Sequence, residues 1–203
     1  MLVAASRIIG TPILSMEVSG QIGNISSAIV EPKSLKIIAF YLSGPLVNKS
    51  PANILDVSSI REYSSYGMVI DSLDELVEQD DVIKISETIK LNFNLIGLKV
   101  ETKKGSKLGK VSDFIVTDDN FTVQQIVVKR PALKSLIDPE LTISRREIVE
   151  ITDYKIIVKD EEKTLKEKAE TEDFIPNFVN PFRKTEQAPS SVDNQTPADI
   201  DRQ

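Results

Sequence analysis

The sequence of 203 residues contains no cysteine, no histidine and no tryptophan. Without cysteine there is neither a disulfide nor a thiolate nucleophile. Without histidine the commonest metal ligand and the general base best suited to neutral pH are both missing. Most routes to catalysis and to a zinc site are closed as a result. We therefore expect a protein that is not an enzyme, with no cofactor, no metal and no small-molecule substrate.

Long apolar runs are also absent from the sequence. No stretch approaches the roughly 18 consecutive apolar residues that a membrane-spanning helix needs. The first residues lack the charged region followed by an apolar core that marks a secretory signal. We expect a cytoplasmic protein that does not insert directly into a membrane.

Basic and acidic side chains are unevenly distributed along the chain, whose net charge is −6. Residues 1–78 carry 5 basic and 8 acidic side chains, residues 91–160 carry 12 and 10, and residues 161–203 carry 6 and 10. Only the second of these regions can present a basic face to an anionic partner. The alternative interpretation is a solvated surface without a partner. The candidate patch consists of Lys103, Lys104, Lys107, Lys110, Arg130, Arg145 and Arg146.

Two stretches of the chain share one pattern of glycines and aliphatic residues. Gly10 and Gly23 in the first stretch correspond to Gly97 and Gly109 in the second. Aliphatic segments then correspond in the same order: 40–42 with 126–128, and 68–70 with 156–158. An internal repeat of this kind indicates two copies of one structural unit.

Short β-rich segments separated by glycine, proline and asparagine turns predict that both units are mainly β. Between them, Val82, Ile85 and Ile89 recur at helical spacing. We therefore predict a first unit over residues 1–78, a helical linker over 79–91 and a second unit over 92–160.

Residues 161–203 differ in character from the rest of the chain. A charged, helix-compatible segment is followed by an acidic, proline-containing tail that we expect to be partly disordered. Five large apolar residues stand out in this polar segment. They predict a docking motif, which either packs on the second unit or binds a partner: Phe174, Ile175, Phe178, Val179 and Phe182.

The sequence contains the pattern G-x-x-[VI], then G-x-x-[LI]-G-x-[VI], a long aliphatic strand and the segment Ile-Arg-Glu-Tyr-Ser-Ser-Tyr-Gly-Met-Val-Ile. This combination resembles the PRC-barrel domain. The family is named for the photosynthetic reaction-centre H subunit and includes the C-terminal barrel of the ribosome-maturation factor RimM. The resemblance covers residues 5–78 and 92–160. It implies a mostly β protein of two small tandem antiparallel β-barrels joined by a short helical linker. It also implies that Gly10, Gly23, Gly97 and Gly109 are turn or bulge positions and that no motif residue is catalytic.

Members of this family act as adaptors on larger assemblies, so the resemblance implies a non-enzymatic protein–protein adaptor whose main partner is another protein. One alternative is a factor associated with RNA or a ribosomal particle, which binds through the basic face of the second barrel. Another alternative is a peripheral scaffold for a membrane or cell-division protein complex. The sequence lacks the transmembrane helix of the reaction-centre subunit, and a repeat occupies the place of the extra N-terminal domain of RimM.

Overall fold

The computed structural model describes residues 1–64, 66–131 and 139–160. These residues form fourteen β-strands and two short α-helices. The fold is therefore mainly β, as predicted. In the first half the elements are β1 (Leu2–Ala4), α1 (Ala5–Ile8), β2 (Pro12–Ser15), β3 (Gly20–Glu31), β4 (Lys36–Ser43), β5 (Ile54–Asp56), β6 (Glu62–Ser64), β7 (Gly67–Ile70) and β8 (Leu76–Val77). Then follow α2 (Ile83–Lys90), β9 (Lys99–Thr102), β10 (Lys107–Thr117), β11 (Val123–Lys129), β12 (Glu140–Ser144), β13 (Ile148–Ile151) and β14 (Lys155–Val158).

The strands form two sheets of seven strands each. The N-terminal sheet has the order β6-β7-β2-β3-β4-β5-β8, and the C-terminal sheet has the order β12-β11-β10-β9-β14-β13, with β1 added on β10. Within the described ranges neither order closes into a hydrogen-bonded ring. The charged helix and the disordered tail predicted over residues 161–203 lie outside the described residues.

One strand pair in each sheet is parallel, which corrects the expectation of a purely antiparallel arrangement. β2 runs parallel to β7, and β9 runs parallel to β14. Parallel neighbours need a long crossover instead of a tight hairpin. In each half, three further strands and the first strand of a hairpin lie between the two parallel partners along the chain. The second strand of that hairpin then pairs with the first partner and runs in the same direction.

The two sheets share not only their strand order but also their irregularities. The register between β3 and β4 shifts after Ile25, and the register between β10 and β11 shifts after Val111, which is the matching residue. At each shift a serine hydroxyl donates to a carbonyl of the neighbouring strand. Ser26 Oγ lies 3.0 Å from the oxygen of Tyr41, and Ser112 Oγ lies 3.2 Å from that of Val127.

The sheets meet through the turns of their matching hairpins. The N–H of Ile37 donates to the oxygen of Phe121 at 3.0 Å, and the N–H of Val123 donates to that of Leu35 at 2.8 Å. Ile37 and Leu35 of one hairpin correspond to Val123 and Phe121 of the other, so each bond is the counterpart of the other. The contact therefore has an approximate two-fold axis. Leu35 and Phe121 both have positive φ, at 48° and 52°. Such values are uncommon outside glycine, and here each places a buried side chain in the shared core.

Aromatic rings fill the space behind this contact. The ring of Phe121 lies 5.5 Å from that of Phe40 in an edge-to-face arrangement and 5.8 Å from that of Tyr63. Burial raises the pKa of the Tyr63 hydroxyl, with a smaller contribution from the Asp118 carboxylate. Buried residues of both sheets belong to one continuous apolar cluster. The described residues accordingly belong to a single compact unit.

The first strand of the chain belongs to the second sheet. Val3 in β1 lies opposite Val116 in β10. Beside this pair, the Ser6 hydroxyl donates to the Asp113 carboxylate at 2.6 Å. A boundary drawn at residue 78 therefore separates β1 from the sheet to which it is hydrogen-bonded.

The helix α2 lies within the predicted linker and packs on the outer face of the N-terminal sheet. Its Ile85 is buried against Ile38 and Ile54, whereas Ile83 on the opposite side is exposed. β4 is consequently buried on both faces, which explains its nearly continuous apolar sequence. The linker is a structural layer of the N-terminal sheet.

Candidate basic pocket

Three lysines stand directly opposite one another on adjacent strands of the C-terminal sheet. Lys110 of β10 has Lys99 of β9 on one side and Lys129 of β11 on the other. We call Lys99, Lys110 and Lys129 the lysine row. All three are exposed, and neighbouring strands are about 4.8 Å apart. Like charges that face each other across strands are destabilising. The row is therefore an unfavourable arrangement that folding alone does not require.

A pocket of about 480 Å³ opens beside the lysine row, and we call it the basic pocket. Its polar rim adds two further cations, Lys107 and Arg130, to those of the row. Apolar surface comes from Pro131 and the methylene stems of the lysines. The described residues of the lining are Lys99, Val100, Glu101, Lys107, Gly109, Lys110, Lys129, Arg130 and Pro131.

Two glutamates stand opposite lysines of this region, Glu101 opposite Lys107 and Glu140 opposite Lys129. Among the described residues that line the basic pocket, Glu101 is the acidic one. Its carboxylate is already paired with Lys155, whose Nζ lies 3.4 Å away. In the described part of the chain, no acidic side chain lies within ion-pair distance of the lysine row or of Lys107. The lysine row and Lys107 are thus open to an anion supplied from outside.

Gly109 permits the close approach of β10 and β11 that places Lys110 beside Lys129. A Cβ at this position would lie 2.1 Å from the backbone oxygen of Lys129, and φ is +151°. No other residue fits without moving the strands apart. Gly23, at the matching place in the N-terminal sheet, has the same role, since its Cβ would lie 2.6 Å from the oxygen of Ser43.

The other two predicted glycines lie at turns. Gly10 and Gly97 have φ of +86° and +89°. Each donates its N–H at 2.8 Å to the second strand that follows, to Ile25 of β3 and Val111 of β10 respectively. All four glycines are therefore found at turns or close backbone approaches.

The patch predicted from the sequence is divided by the fold. Lys107, Lys110 and Arg130 lie at the basic pocket, whereas Lys103 and Lys104 lie in the exposed turn between β9 and β10. Arg145 lies near the other end of β11, where its guanidinium donates to the oxygen of Val123 at 3.3 Å, and Arg146 follows it. Six residues of strand separate Val123 from Lys129, a distance of roughly 20 Å.

Sequence reasoning did not include Lys99, and it did not place Lys129 beside Lys110. The signal that identifies them is strand register, because each stands opposite Lys110. The predicted docking motif (Phe174, Ile175, Phe178, Val179 and Phe182) lies outside the described residues.

The matching row of the N-terminal sheet carries no charge. Pro12, Asn24 and Ser43 occupy the places of Lys99, Lys110 and Lys129, and they are opposite one another in the same register. Both sheets therefore offer one backbone frame, on which only the C-terminal sheet carries cations.

Other kinds of site receive no support in the described ranges. No group of three or more acidic residues is placed there to hold a metal ion. None of the helices found there combines the length and the apolar character that crossing a membrane requires.

Comparison with known families identifies the C-terminal half of the molecule. The PRC-barrel domain matches residues 87–165, which include the end of α2 and all of β9–β14. This part of the chain is a PRC-barrel domain, as its resemblance indicated. Residues 5–78 lie outside the match. No curated protein matches the chain.

Proposed function

We propose that the protein is a non-enzymatic adaptor built from two PRC-barrel modules, which binds partner proteins in the cytoplasm. The tandem arrangement is supported by the N-terminal sheet. Its strand order, its parallel pair and its register shifts are those of the C-terminal sheet, to which the PRC-barrel domain is matched. Each module then corresponds to one of the two small units that the family resemblance implies.

The observation that carries the adaptor function is one frame with two different surfaces. The modules are fixed to each other by the hairpin contact, yet the basic pocket occurs on one of them and neutral residues occupy its place on the other. A rigid pair of unlike surfaces is suited to holding components of a larger assembly in a set geometry.

Association with RNA or a ribosomal particle is the second candidate, because five cations surround one pocket. Against it, none of the described residues that line the pocket is aromatic, whereas proteins that bind single strands commonly stack bases on aromatic rings. The third candidate, a scaffold for a membrane or cell-division complex, differs from the adaptor only in the identity of the partner.

The test is affinity capture from cell extract with the full chain and with a chain that ends at Asp160. Each capture is repeated with nuclease and at raised salt. We expect a protein that is retained after nuclease treatment and that binds again, saturably, when purified. Loss of all captured material with nuclease would move the function to RNA or ribosome association. Recovery of no specific partner by either chain would contradict the adaptor function.

A further inference from the structure

We infer that the basic pocket binds an extended acidic peptide segment that carries an apolar side chain. This inference rests on the proposed adaptor function and names the chemistry of the partner at that site. It concerns described residues only, namely the lysine row, Lys107, Arg130 and the apolar lining of the pocket.

The charge at the site selects an anion with several negative groups. The row sets out three ammonium groups in a line across three strands. An extended peptide places alternate side chains about 6.7 Å apart on one side of its backbone. Flexible lysine stems can reach carboxylates at this spacing. Ion pairs with such a ligand would replace the repulsion between the lysines by attraction.

The shape of the site selects a ligand that is not purely ionic. Pro131 and the methylene stems of the lysines give the pocket apolar walls. A concave site of about 480 Å³ has room for a side chain and not only for a row of charges on a flat surface. A leucine or similar residue on the same side of the extended peptide as the carboxylates would lie within it.

The surroundings of the site favour a peptide over a nucleic acid. A nucleic-acid strand needs a basic track along its phosphates, usually with stacking partners for its bases. Here the described lining of the basic pocket holds no aromatic residue, and Arg145 donates to Val123 roughly 20 Å away along β11. The net charge of −6 repels a long polyanion, whereas a short segment senses chiefly the local cations because salt screens charges over about 8 Å.

The experiment measures fluorescence anisotropy of short labelled probes with the full chain. The probes are a glutamate-rich peptide with interspersed leucine, its glutamine analogue, its serine-for-leucine analogue and an oligouridylate of equal charge. The site variant is K110Q/K129Q, and the matched control is K33Q/K49Q, which removes the same charge from exposed positions of the N-terminal half. Thermal unfolding checks that both variants fold.

We expect the glutamate–leucine peptide to bind best, and we expect its affinity to fall at least about tenfold in K110Q/K129Q and to stay unchanged in K33Q/K49Q. Tighter binding of the oligouridylate, equal losses in both variants or no binding to the unmodified chain would overturn the inference. A partner protein that the full chain captures equally well with K110Q/K129Q would reject the pocket while leaving the adaptor function in place. Failure to capture any partner would reject the adaptor function itself.

Discussion

The outer faces of the two sheets use one backbone arrangement in opposite ways. Beneath α2, the N-terminal sheet presents buried apolar residues, whereas the matching positions of the C-terminal sheet are partly polar and more exposed. The matching pairs are Ile29 with Ile115, Ile38 with Gln124, Ala39 with Gln125, and Ile54 with Thr142. The frame is held by inward-facing residues, glycines and hairpin turns, so the outer surfaces are free to differ. The comparison teaches that function should be sought where matching positions differ.

The contact shared by both sheets gives the largest expected effect. Phe121→Ala removes a buried ring that packs on Phe40 and Tyr63. We expect the free energy of unfolding to fall by about 3–5 kcal/mol in a denaturant titration. Tyr66→Ala, which truncates an aromatic residue that is 85% exposed, is the control and should change it little. Equal effects of the two substitutions would contradict the shared core.

The packing of α2 on the outer face of the N-terminal sheet can be tested with two isoleucines of this helix. Ile85→Ala leaves a cavity between α2 and the N-terminal sheet, since Ile85 is 1% exposed. We expect a loss of about 3 kcal/mol in the free energy of unfolding. Ile83→Ala changes the same residue type at a position that is 76% exposed and should cost under about 0.5 kcal/mol. If Ile85→Ala were equally mild, α2 would not be the cover of this face.

The frame common to both sheets depends on close backbone approach. Gly109→Ala places a Cβ against the oxygen of Lys129, so we expect a loss of about 2 kcal/mol or more in unfolding free energy. Gly20→Ala is the comparison, because its Cβ would meet nothing nearer than 3.9 Å. Thermal unfolding of both variants measures the two changes in stability. A mild Gly109→Ala would mean that β10 and β11 separate easily.

The smallest effect concerns an ion pair that only the N-terminal sheet has. A hydrogen bond from Ser34, and then the Lys84 ammonium of α2 at 3.5 Å, lower the pKa of Glu31 below its ordinary value of 4.5. Since the pKa is lower in the folded state, the stabilisation is complete above pH 4.5 and is lost as the pH falls through the folded-state value. Glu31→Gln should cost about 0.5 kcal/mol at neutral pH. This difference should disappear in acid-range denaturant titrations, and a difference that persists there would exclude the carboxylate as its source.

The sequence predicted those features that depend on local chemistry. Glycines that need positive φ or close approach, such as Gly97 and Gly109, are visible in the repeat itself, and the apolar spacing of Val82, Ile85 and Ile89 predicted α2. Strands with β-branched runs were predicted for the same reason.

Features that depend on pairing between distant segments could not be read in this way. Nothing in Leu2–Ala4 indicates that these residues pair with β10. The lysine row depends on register, because Lys99, Lys110 and Lys129 are unevenly spaced along the chain and become neighbours only when three strands align. Spacing along a chain carries no information on alignment between strands, so Lys99 was missed and Lys129 was not placed beside Lys110.

The position of β1 has a consequence for how the protein is made. Its partner, β10, is more than a hundred residues further along the chain. A ribosome that adds about 5–20 residues per second needs on the order of ten seconds to cover that distance. Throughout this interval the backbone groups of β1 have no strand to pair with, even when β2–β8 are already synthesised. Completion of the second sheet is therefore the event that secures the beginning of the chain.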